Sequence, residues 1–79
     1  MDKKVYEAVV NGNSDNNIKY TDFQTLIVDL GFEPKRQKGS HTMYFNDSIN
    51  EFMNIQKDAN KAKNYQVEQL RNIIIKHNL

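Results

Sequence analysis

Two side chains of this 79-residue chain, His41 and His77, carry an imidazole, the group whose ordinary titration falls near neutrality. His41 follows Lys38-Gly39-Ser40 at the start of a predicted strand, with Lys35 and Arg36 just upstream. Cleavage of an RNA chain by its own 2′-hydroxyl needs a group to take up the hydroxyl proton. It also needs cationic or hydrogen-bonding groups around the phosphorane-like transition state. An imidazole suits the first task, and Lys35, Arg36, Lys38 and the amides of Gly39 and Ser40 suit the second. The same residues admit a plainer reading, with Gly39 a turn glycine and His41 a half-buried strand residue satisfied by a backbone carbonyl. A lone Gly-Ser-His does not decide between them.

His77 sits two residues from the C-terminal Leu79 on a helical apolar stripe, where an imidazole complements the negative end of the helix dipole, and is read as structural. Lys61 and Lys63 precede a predicted helix and, with its free amides, suit a phosphate. In a loop they are equally suited to solvation alone. Tyr44 and Tyr65 have the shape to stack on bases, or simply to pack. No histidine–carboxylate cluster has metal-ligand spacing and no phosphate-binding or dinucleotide loop occurs, so the chemistry expected is metal-independent, with no cofactor.

The elements that must position these residues are read from periodicity. Val5, Ala8 and Val9 have the i, i+3, i+4 spacing of a short helix, followed by a polar loop over 11–17. Thr21-Asp22-Phe23-Gln24 has the form of a capping box. Phe23, Leu26, Ile27 and Leu30 then predict a helix from about Asp22 to Leu30, with Gly31 as its left-handed stop. Glu33 to Lys38, Ser40 to Phe45 and Glu51 to Gln56 read as a three-stranded antiparallel meander, Pro34 marking an edge. Alternation places His41, Met43 and Phe45 on one face, and Ser40, Thr42 and Tyr44 on the other; Met53 and Ile55 are candidates for the core side. A lysine-rich connection over 57–63 leads to a last helix from about Tyr65, carrying Val67, Leu70, Ile73 and Ile74. Two helices on one face of a sheet make a stable two-layer α+β solution for one small domain.

Composition bounds the rest. Apolar residues make up 38% of the chain and cysteine is absent, so packing alone must hold a limited core. Net charge is only +1, with the basic excess mid-chain: six basic against four acidic side chains over 33–63. No apolar run has the length of a signal-peptide core or a membrane span, and a cytoplasmic protein with no membrane partner is expected.

In combination, Leu30-Gly31-Phe32, then Lys35-Arg36-Gln37-Lys38-Gly39-Ser40-His41 running into Met43-Tyr44-Phe45, resembles the HicA (YcfA-like) family of toxins from toxin–antitoxin systems. Met53-Asn54-Ile55-Gln56, Lys61-Ala62-Lys63 and Tyr65-Gln66-Val67 extend the likeness, which covers about residues 18–79. Thr42 stands where many members have a second histidine, and Asn64 where a proline is common. The resemblance implies a fold similar to double-stranded-RNA-binding domains, a three-stranded antiparallel sheet with two helices on one face. Residues 1–17 would add a helix and loop in front of that core, within a single domain 1–79. It implies an mRNA-cleaving toxin with His41 catalytic, and a HicB-type antitoxin that covers His41. The nuclease reading takes His41 as general acid or base and Lys38, Lys61 and Lys63 as phosphate contacts, within an RNA-binding set of Lys35, Arg36, Lys38, Gly39, Ser40, Lys61 and Lys63. Beside it stand a non-catalytic RNA-binding module of the same fold and a pure protein-interaction domain.

Overall fold

The computed structural model describes all residues 1–79. Its first helix, α1 (Lys3–Asn11), is capped by Asp2, whose carboxylate accepts from the amides of Lys4 at 2.9 Å and Val5 at 3.4 Å. Gly12 ends it in the left-handed region at φ +74°, a conformation that costs glycine little. The helix α2 (Tyr20–Asp29) buries Phe23, Leu26 and Ile27, and α3 (Asn64–His77) buries Val67, Leu70, Ile73 and Ile74. The strands are β1 (Glu33–Lys38), β2 (His41–Asn46), β3 (Glu51–Asp58) and β4 (Lys61–Ala62), antiparallel in the order β1-β2-β3-β4.

The expected three-stranded sheet, with two helices on one face and a further helix merely added in front, is therefore corrected: the sheet has four strands and all three helices share its core. The fourth strand hides in the lysine-rich connection. Ala59 takes a positive φ of 53°, which lets the chain reverse at Ala59-Asn60 and pair Lys57 with Ala62 and Asp58 with Lys61. Two residues are too few to show alternation, so the strand leaves no periodic trace. Nor is α1 an appendage. Val9 is fully buried in the common core, the helix packs on α3 and α2, and the Tyr6 hydroxyl donates to the Leu79 carbonyl at 2.8 Å.

The capping box at Thr21 is also absent. The helix begins a residue or two earlier, at Tyr20, and Lys19 precedes it without a side-chain cap. Sheet contacts take over the role: the Tyr20 amide donates to Asn60 O at 2.9 Å, Ala62 N donates to Ile18 O at 2.9 Å, and Lys19 bridges Lys61. Gln24, freed from capping, donates instead to the Tyr44 hydroxyl at 2.9 Å.

Direct partners across antiparallel strands share a face, and the register settles which face is which. Tyr44 opposes Met53 and Thr42 opposes Ile55 on the helix side, where Tyr44, Met53 and Ile55 are buried. His41 opposes Gln56, Met43 opposes Asn54 and Phe45 opposes Phe52 on the other side, which no helix covers. The segment 18–19 shields β4, leaving β1 as the open edge, exposed along its whole length. Pro34, a register shift between Pro34 and Arg36, and three basic side chains guard that edge against strand addition. No helix is long and apolar enough to cross a membrane.

Candidate functional site

The β1–β2 hairpin positions the central residues. Lys38 pairs directly with His41 across a two-residue turn, Gly39-Ser40. Gly39 holds φ +60° there, and no atom lies within 4 Å of the point where a Cβ would stand. Conformation rather than crowding selects glycine at this corner. Behind the turn, Gln56 donates from Nε2 to Ser40 Oγ at 2.8 Å, tying the corner to β3.

On the uncovered face this geometry forms a shallow depression of about 430 Å³, lined by Arg36, Lys38, Gly39, His41, Met43 and Asn54. His41 is exposed and its ring makes no hydrogen bond, so the half-buried, carbonyl-satisfied histidine of the plainer reading does not occur. Arg36 and Lys38 form no ion pair, whereas Lys35 is engaged by Glu33 at 3.4 Å. The depression thus presents two uncompensated cations and an imidazole side by side, with the Asn54 amide opposite. Alternation had placed Met43 on the His41 face, whereas Asn54 carried no sequence signal. Asn54 is found only through the β2–β3 register, which pairs it directly with Met43.

The remaining predicted residues lie elsewhere. Lys61 donates to Asn17 Oδ1 at 3.2 Å and Lys63 sits 5.9 Å over the Tyr65 ring, in a separate depression of about 570 Å³ at the start of α3. That depression is larger and holds Asp58 beside Lys61 and Lys63, with no histidine. Tyr44 is buried against the helices and cannot reach a base, while Tyr65 is exposed. Thr42 faces the helices, on the side of the strand opposite His41. Nearby, burial first and Tyr44 second hold the Tyr20 hydroxyl above its ordinary pKa of 10.0.

His77 is accounted for by Glu51, whose carboxylate lies 2.8 Å from Nε2 and 3.4 Å from Lys76 Nζ. Glu51 opposes Asn46 at one end of the β2–β3 pair and His41 opposes Gln56 at the other, a separation of about 17 Å along the strands. The two histidines therefore cannot act on one phosphate. No three histidine, aspartate or glutamate side chains converge in a way that could hold a metal ion. Comparisons with family models, with curated proteins and with solved structures give no match to this chain.

Proposed function

We propose that the chain is a metal-independent endoribonuclease toxin that cleaves mRNA through 2′-hydroxyl attack, with His41 as its general acid or base. The observation that carries the reading is the exposed, hydrogen-bond-free His41 beside unpaired Arg36 and Lys38 on an uncovered sheet face. With RNA laid across the depression, His41 takes the 2′-hydroxyl proton and the oxygen attacks phosphorus. The P–O5′ bond then breaks, the 5′-oxygen takes a proton from the protonated His41 or from water, and the products are a 2′,3′-cyclic phosphate and a 5′-hydroxyl end. Arg36 and Lys38 offset the charge that grows on the phosphoryl oxygens, a stabilisation that strengthens as bound RNA excludes water. The resemblance to the HicA family supplies the biological setting: a cytoplasmic toxin held silent by a HicB-type antitoxin seated over His41.

A second reading, a non-catalytic RNA-binding module, is favoured by one observation. No second imidazole and no carboxylate lines the depression with His41, and Thr42 faces away from it. Growth of a bacterial host during induced expression of wild type and His41→Ala separates the two readings, with total RNA analysed and folding checked by circular dichroism. The nuclease reading expects arrest and RNA loss from wild type alone, unaffected by chelator in a purified assay. Equal arrest by both proteins, or by neither, overturns it.

A further inference from the structure

The uncovered sheet face continues past His41 into an aromatic pair that the catalytic chemistry does not use. Phe45 and Phe52 are direct cross-strand partners, and Phe52 is 56% exposed although it is among the largest apolar side chains of the molecule. Cross-strand aromatic packing explains why they sit together. It does not explain why the pair stands on the face without a helix, when the sheet's other face has a closed core. Phe45 lies four residues beyond His41 on the same face of β2, about 13 Å away at the rise of an extended strand. Between them runs the row Arg36, Met43, Asn54, whose members are register partners.

Charge complements this arrangement. The depression holding Arg36 and Lys38 contains no carboxylate, and Glu33, the register partner of Phe45, is paired with Lys35. One strip thus presents cations and an imidazole at one end and two aromatic rings at the other. An unpaired nucleic-acid strand has the matching composition: phosphates for the cations and accessible base faces for the rings. A duplex keeps its bases stacked within the helix and offers the rings nothing.

Resting on the nuclease reading, we propose that Phe45 and Phe52 form a stacking platform for bases flanking the cleaved phosphate, which makes single-stranded RNA the substrate class. The platform adds affinity without strong base preference, because every base has a π-face.

The test uses His41→Ala protein, so that RNA survives the titration, with a short fluorescein-labelled mixed-sequence RNA, alone or annealed to its complement. Fluorescence anisotropy is expected to show tighter binding of the single strand. Adding Phe52→Ala should weaken single-strand binding roughly tenfold or more and leave duplex binding unchanged, and Phe52→Trp should restore it. Because Phe52 lies outside the core, circular dichroism should report the native fold for each variant. Equal affinity for both RNAs, or no effect of Phe52→Ala, overturns the platform. So does a Phe52→Ala effect confined to self-association, seen by sedimentation. Cleavage by the His41-containing chain, run alongside, separates the failures: normal cleavage with an inert Phe52→Ala removes the platform alone, whereas no cleavage and no binding removes the nuclease reading with it.

Discussion

Gln66 of α3 receives the backbone amide of Gln56 on its Oε1 at 3.2 Å and donates from Nε2 to the Asn54 carbonyl at 3.0 Å. One buried side chain thus satisfies two backbone groups of β3 just before the short β4 begins, doing for that edge what a neighbouring strand does elsewhere. Asn54 and Gln56 are the register partners of Met43 and His41, so this helix side chain fixes the strand beside the candidate site. Replacing Gln66 with Leu keeps the volume and removes both partners. A loss of about 1–3 kcal/mol is expected from the unsatisfied groups, read from the urea unfolding midpoint at unchanged slope. A Gln66→Leu protein as stable as wild type would show that water replaces the bonds without cost.

Such a contact is invisible in the sequence, where Gln66 is one polar residue near a helix start. What the sequence did convey is periodic. Phe23, Leu26 and Ile27 on one helix, and Val67, Leu70 and Ile74 on another, mark their buried sides because burial must follow the helical repeat. Alternation likewise separated His41, Met43 and Phe45 from Thr42 and Tyr44. Three things carried no such signature. Two-residue β4 is too short to alternate. The start of α2 is set by backbone bonds to Asn60 rather than by Thr21. Phe52 joins the candidate surface only through its pairing with Phe45. All three depend on contacts between distant segments, which local pattern does not encode.

The polar loop after α1 is fastened by a comparable long-range contact. Arg71 meets both carboxylate oxygens of Asp15, at 2.9 and 3.0 Å, and donates to the Val9 carbonyl at 3.1 Å. Its pKa is raised chiefly by the hydrogen bonds to Asp15. A Cβ on Gly12 would stand 3.1 Å from Arg71 Nη1 and 3.3 Å from Cζ, at a φ of +74°. Gly12→Ala should therefore disturb both the backbone and the clamp, whereas Asp15→Ala removes only the ion pair. Each is expected to lower stability, Asp15→Ala by about 1–2 kcal/mol because the pair is still partly solvated. Hydrogen exchange should locate the loss in α1, and unchanged protection of the α1 amides would contradict the clamp.

At the other end of the sheet the sign of a pH effect follows from Glu51. The hydrogen bond from His77, and after it the neighbouring Lys76, hold its carboxyl below the ordinary value of 4.5, against a smaller opposing effect of burial. A carboxylate whose folded pKa is depressed contributes stability above its unfolded pKa and loses it as pH falls through the folded value. Wild-type stability should therefore decline in the acid range below about pH 4.5, and Glu51→Gln should flatten that decline. Thermal unfolding followed across acid pH checks this. An equally steep acid limb in Glu51→Gln would assign the decline to other carboxylates.

Two groups of cations are available to a phosphate backbone, and salt dependence can tell which of them is used. Arg36 and Lys38 line the depression with His41, while Lys61 and Lys63 line the separate one at the start of α3. Each phosphate contact on a single strand contributes about 0.7 to the slope of log affinity against log salt. On His41→Ala protein, losing Arg36 and Lys38 together should flatten that slope by about 1.4. If the strand stays on the sheet face, Lys61→Ala with Lys63→Ala leaves the slope alone. If it turns around the β3–β4 corner toward α3, the second pair lowers it as well. Lys61 is already hydrogen-bonded to Asn17 and Lys63 lies over Tyr65, so both would have to exchange an existing contact for a phosphate. Arg36 and Lys38 have no such contact to give up, and the larger change is therefore expected from them. A slope unmoved by their loss would take the RNA path away from the face that carries His41.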